Sequence, residues 1–313
     1  MTETSKKPPL SYRFKCAVKR DWQIYIMLLP AVALVFVFSY LPMYGIQIAF
    51  KDYKFAFGIL GSDWANPLFK HFTNFFESFF FERLLWNTLL LSVFGLLWGF
   101  PIPIIMAILL NQMGGLKFKK FTQTAIYAPH FLSPVVIVGM LFIFLSPNSG
   151  LVNQIITFFG NEPVNFMLED SWFRGLFVGT DIWQHAGWNT IIYIAALTAI
   201  DPGIYEAATI DGATKTQKII YIDLPHLVPL IIVLLILNCG SLLVSNTDKA
   251  LLMQTSGNLA KSDVIGTYVY RMGIVNGHFS YTTAIGLFTN IINFITIVSV
   301  NSIVKLFNES TLF

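Results

Sequence analysis

The chain is 313 residues long, 55% hydrophobic and 16% aromatic with only 12% charged residues, a composition that excludes an ordinary soluble domain and fits a bilayer protein. Its net charge of +3 is small and its basic residues are scattered, which argues against nucleic acid as a partner. No metal-ligand spacing, Ser/His/Asp signature or Gly-x-x-x-x-Gly-Lys-Ser/Thr phosphate loop occurs, so ATP-driven work would require another polypeptide.

Residues 1–23 carry Lys6, Lys7, Arg13, Lys15, Lys19 and Arg20 and form a basic tail, expected in the cytoplasm. The apolar run at 24–49 is too long for a signal-peptide core and lacks a small-residue cleavage pattern, so it is expected to remain as a first transmembrane helix. Residues 50–84 mix charges, glycine and phenylalanine and are expected outside. Phe75, Phe76 and Phe79 to Phe81 either lie at the membrane surface or pack against neighbouring spans.

A five-helix core follows at 85–306, with spans expected at 86–110, 122–146, 176–200, 228–246 and 282–306 and a cytoplasmic end at 307–313. Pro129 and Pro134 predict a kink in the third span. Gly95 and Gly99 form a small-x-x-x-small pair that would let another helix approach. Cys16 and Cys239 are not placed to meet as a disulfide. In this layout the cytoplasmic side holds 12 Lys/Arg against 7 Asp/Glu and the outer side 8 against 10, so both termini face the cytoplasm. The fold class is therefore an all-α, six-span polytopic membrane protein.

A charge near the bilayer centre costs about 2.5–3.5 kcal/mol on insertion scales, so polar side chains inside spans need partners or water. Asp181, Gln184, His185 and Trp188 share one face of the fourth span at i, i+3, i+4 and i+7. Asn238, Ser241 and Ser245 have similar spacing in the fifth, and Thr289, Asn290 and Asn293 lie in the outer half of the sixth. Together they would form one polar level. One reading is a watery cavity for a hydroxyl-rich solute, with amides and a carboxylate meeting hydroxyls and Trp188 stacking on a sugar face. The other is polar glue between helices, with Asp181 simply solvated near the outer interface. His185 beside a single aspartate is thin support for a proton relay.

Residues 201–229 are neither a span nor a plain loop. Asp201 is placed to cap a helix whose first residue is Pro202, Ala207, Ala208 and Ala213 favour helix, and Gly212 permits a reversal. Pro225 and Pro229 mark the way into the next span, giving helix, bend, short helix, span.

This stretch resembles the EAA loop of membrane subunits of type I ABC importers, with Glu206, Ala207, Ala208, Asp211, Gly212, Ala213, Ile222, Leu224, Pro225 and Pro229 at the family's spacing. Ile219 departs from it where the family often has phenylalanine. Trp183, Gly187, the run from Tyr193 to Pro202 and Gly150-Leu-Val-Asn153 are similar to the carbohydrate-permease branch. Leu41-Pro-Met-Tyr-Gly45 and Ala49-Phe-Lys-Asp-Tyr53 resemble the polysaccharide type that includes aldouronate and alginate-oligosaccharide importers.

The resemblance implies a multi-pass permease of the bacterial cytoplasmic (inner) membrane, with no catalytic residues. Its expected partners are a second homologous permease in a heterodimer, two ATP-binding subunits that hold ATP and Mg, an external solute-binding protein and the carbohydrate. It also implies that Glu206, Ala207, Ala208, Asp211, Gly212 and Ala213 couple the chain to the ATPase. A stand-alone ion-coupled secondary transporter is the competing reading.

Overall fold

The computed structural model describes residues 10–307, which are mostly helical; among them no strand occurs, only an isolated antiparallel bridge between Lys51 and Trp64. Lys6 and Lys7 of the basic tail, and the C-terminal residues after Phe307, lie outside the described residues. The chain divides into two compact units, Met1–His71 and Phe72–Phe313.

In the first unit the backbone is helical from Leu10, so the basic stretch is continuous with the apolar run; Asp21, at φ −110°, marks a kink. The helix α1, Lys19–Phe50, is long and apolar enough to cross a membrane. It widens into a π turn at Phe36–Tyr40, where the Leu41 amide reaches back five residues to Phe36, immediately before Pro42. After α1 the chain folds back on itself: the Asp52 amide donates to Asp63 O at 3.0 Å and the Ala65 amide to Phe50 O at 2.9 Å. The buried Lys51 donates to Ile59 O at 2.7 Å and sits over the Trp64 ring. Lys70 donates to Asp52 at 2.9 Å and holds that carboxyl below its usual range.

The second unit contains α2 (Phe81–Asn111), α3 (Leu116–Phe131), α4 (Pro134–Phe144), α5 (Asp170–Thr198), α6 (Pro202–Ile210), α7 (Lys215–Cys239) and α8 (Phe279–Phe307). Among the described residues of the whole chain, four helices pass a spanning test by length and composition, or six if the bent pairs α3–α4 and α5–α6 each count as one span.

Two expectations change here. The third span is broken: α3 and α4 meet at 97°. Pro134 forces Ser133 into an extended conformation (ψ 152°), and Ser133 then caps α4 by accepting from the Val136 amide at 3.3 Å. The fifth helix begins at Lys215 and ends at Cys239, well before residue 246. Pro225 does not delay its start, because a π turn at Ile219–Asp223 lets the Leu224 amide reach Ile219 and places proline where no amide is needed. The same pairing of a π turn with Leu-Pro occurs in α1.

The stretch between the fifth and sixth helices, for which the sequence set no expectation, is a folded insert. Asn246 caps the helix Thr247–Met253 by accepting from the Lys249 amide at 3.2 Å. Ala250, Met253 and Val264 are fully buried with Phe173, Phe177 and Val178 of α5 and Leu91 of α2.

The phenylalanines before α2 divide between their two readings. Phe75 is buried against Phe81, Tyr281 and Phe288, and Phe76 packs on Phe288, whereas Phe79 is exposed. Neither glycine of the Gly95/Gly99 pair is a tight crossing: an added Cβ meets nothing within 4 Å at Gly95 and only Ile182 at 3.6 Å at Gly99. A tight crossing occurs at Gly187, where a Cβ would fall onto the Ile126 backbone carbonyl of α3.

Candidate functional site

Two places in the second unit collect the residues singled out by sequence. The first is a cavity of about 800 Å³ bounded by α2, α5, α7 and the turn after α7. Asp181, His185, Trp188 and Asn189 line it from α5, Asn238 from α7, and Ser241, Ser245 and Asn246 from the turn; Gly95, Gly99 and Pro103 form a smooth wall on α2.

Three residues depart from the expected polar level, and a fourth, Ser241, reaches the cavity from outside its helix. Gln184 is buried and turned aside, donating to Leu132 O at 2.8 Å and so satisfying a carbonyl freed by the α3–α4 break. Ser241 lies beyond the end of α7, where its hydroxyl takes the Asn238 carbonyl at 2.9 Å. Asn293 is buried and accepts from the Leu243 amide at 3.0 Å, acting as glue between α8 and the turn. Asn290 is exposed on α8 and does not line the cavity. For Asn293 the reason is that α7 stops at Cys239, so the turn after it packs against α8.

Asp181 is not simply solvated. It lies 3.4 Å from the ammonium of Lys249 and 3.5 Å from His185 Nδ1. Lys249 is fully buried, donates to Phe177 O at 2.9 Å and stands 5.0 Å from the Phe177 ring centroid. A buried ammonium requires a partner, and Asp181 supplies the counter-charge while keeping 42% of its side chain exposed. Sequence reading missed Lys249 because Asn246-Thr-Asp-Lys249 looks like a polar loop; the small and apolar residues after it, Ala250 to Met253, were the available signal.

Trp188 is held from behind. His130, in the last turn of α3, stacks on it at 4.4 Å and 5°, and Phe131 meets it edge-on at 5.6 Å. One indole face is thereby covered and the side chain is fixed at the cavity wall. Asn189, next to Trp188 and four residues after His185, was legible as a continuation of the same face.

The second place is the connection from α5 to α7. The Asp201 carboxylate accepts from the Gly203 amide at 3.0 Å and Pro202 opens α6, as the capping pattern dictates. The helix ends in a Schellman motif: the Ala213 amide reaches Ala208 O at 2.9 Å and the Gly212 amide reaches Thr209 O at 3.1 Å, with Gly212 at φ 74°. Thr214 and Gln217 then form a capping box that starts α7. No residue of α6 is buried; Glu206, Ala207, Asp211 and Gly212 are exposed, as are the apolar Ile204 and Ile210. A short helix with stiff ends thus presents a mixed acidic and apolar face.

Residues 80–309 match the family described as binding-protein-dependent transport system inner membrane component. The polygalacturonan/rhamnogalacturonan transport system permease protein YteP of Bacillus subtilis (strain 168) is 43% identical over 290 residues, 93% of this chain and 90% of that protein. Protein LplB of the same organism is 41% identical over 297 residues, 95% and 93% of the two chains. Among solved structures, a chain of the bacterial alginate ABC transporter in complex with alginate pentasaccharide-bound periplasmic protein superposes with TM-score 0.85 at 36% identity. The match covers 94% of this chain and 98% of that one.

Proposed function

The chain belongs to the family of binding-protein-dependent transport system inner membrane components, and from that premise we propose that it carries an oligosaccharide, delivered by an external solute-binding protein, through an ATP-driven importer. The observation that carries the reading is α6. A short, exposed helix with both ends fixed is suited to fill a groove on an ATPase, and its connections pass displacement on instead of absorbing it. Relatives named for polygalacturonan, rhamnogalacturonan and alginate favour an oligosaccharide with acidic units.

In this scheme six spans place both termini and α6 in the cytoplasm. ATP and Mg reside on two ATPase subunits, and a second permease completes the pathway. The cavity takes part of the sugar: Asn189, Asn238 and Ser241 meet hydroxyls and the free face of Trp188 meets an apolar sugar face. The alternation between two access states is biased by nucleotide at α6 and by solute at the cavity.

Co-expression with the ATPase and partner permease tests the reading. Gly212→Pro or Glu206→Arg is expected to abolish ATPase co-purification while leaving membrane insertion intact. Unchanged co-purification and uptake in both variants would contradict it. Ion-gradient-driven uptake by liposomes lacking ATPase would favour the secondary-transporter alternative.

A further inference from the structure

The Asp223 side chain lies outside the cavity and plays no part in the scheme above, yet it is completely buried. It is the last residue of the π turn in α7, and each of its carboxylate oxygens is taken by a different helix. Oδ1 accepts from the hydroxyl of Tyr205 in α6, and Oδ2 accepts from Nε2 of Gln112, the residue that closes α2, at 2.8 Å. Asn111 Nδ2 approaches the same Tyr205 hydroxyl at 3.5 Å. The surroundings are apolar: Ala107, Ile108, Leu197, Ile200 and Leu227 are buried there, with Ile219 and Ile222 against them.

We propose that Tyr205, Asp223 and Gln112 form a hydrogen-bonded link that makes the end of α2, α6 and the root of α7 move as one body when α6 is displaced. The inference rests on the reading of α6 as the ATPase contact. A buried carboxylate held only by neutral donors loses heavily when either is withdrawn, because water does not replace it. Sliding one helix past the others is therefore resisted more strongly than moving all three. Apolar packing alone grips α6 weakly, since none of its residues is buried. A further polar tie, Lys218 Nζ to Thr209 Oγ1 at 2.7 Å, is exposed and open to competition from water. The π turn contributes geometrically: its extra residue coincides with the place where Asp223 points inward between the two donors.

The test uses the assembled complex with its ATPase, with spin labels on exposed Ile210 of α6 and Leu109 of α2 in a chain free of other cysteines. In the wild-type background the label distance distribution is expected to stay narrow and unmoved when ATP binds. Tyr205→Phe keeps the ring and removes only the hydroxyl. It is expected to retain ATPase co-purification and basal hydrolysis while the distribution becomes roughly twofold wider or shifts with nucleotide. Asp223→Leu should behave in the same way. Asp223→Asn should keep the wild-type distribution, because the amide oxygen still accepts from Tyr205 and the Gln112 amide can turn its oxygen to the new donor.

A wild-type distance that changes with nucleotide, or a Tyr205→Phe complex with the wild-type distribution, overturns the link. A wild-type chain that fails to bind the ATPase overturns the α6 reading itself and the link with it.

Discussion

Asp181 and Lys249 make unequal contributions to their shared contact, and a mutant cycle exposes the difference. Lys249 is fully buried, whereas Asp181 keeps 42% of its side chain exposed and has His185 3.5 Å away. Replacing Lys249 with Met removes the ion that suffers most from burial and keeps the stem volume, and Asp181 can still turn to the cavity and His185. The expected cost is about 1–2 kcal/mol. Asp181→Asn instead leaves an ammonium in the core with only the Phe177 carbonyl, the Phe177 ring and an amide, for about 3–5 kcal/mol. The double variant relieves that stranded charge and should recover about 2 kcal/mol relative to additivity. At roughly 2–4 °C per kcal/mol for a chain of this size, Asp181→Asn should lower the melting temperature of the detergent-purified protein by about 6–20 °C and Lys249→Met by about 2–8 °C. Tryptophan-fluorescence melting curves of all four proteins measure the cycle. Additivity within about 0.5 kcal/mol, or a larger loss for Lys249→Met than for Asp181→Asn, would refute the reasoning.

Other positions give separable outcomes. Asn153 is buried and donates to the Leu145, Ser146 and Val164 carbonyls while accepting from the Val164 amide, so Asn153→Ala should cost about 2–4 kcal/mol. Its signature is faster proteolytic cleavage between residues 145 and 164. Gly187→Ala drives a methyl group into the Ile126 carbonyl and should cost about 1–3 kcal/mol or more, seen as loss of monodisperse protein on gel filtration; Gly95→Ala, with open space around it, is the control that should behave as wild type. Gly212→Val should destabilise the loop by about 1–2 kcal/mol and weaken ATPase co-purification, while Gly212→Asn retains it, because asparagine tolerates positive φ. Trp188→Ala should reduce sugar-stimulated ATP hydrolysis by the assembled complex more than basal hydrolysis; equal loss in both would place Trp188 outside the solute path.

What could be seen before the fold was known was local. Asp201, Pro202 and Gly212 specify a capped and stopped helix through contacts within a few residues of themselves, and those contacts are present. The face of α5 carrying Asp181, His185 and Trp188 follows from helical periodicity alone, and these three do share one cavity. Gln184 and Asn293 obey the same periodicity yet serve backbone groups released elsewhere, one by the α3–α4 break and the other by the turn after α7. Neither destination is encoded near the residue that fills it.

The sequence by itself determined a helical membrane protein and the shape of the loop at 201–229, because hydropathy, capping and glycine stereochemistry act over a few residues. Only the tertiary structure decided that Lys249 is a buried counter-ion, that Asp223 joins three helices, and that the insert after α7 belongs to the core. Each depends on which helices meet and at what depth. That is set by packing over separations such as the 68 residues between Asp181 and Lys249 or the 111 between Gln112 and Asp223.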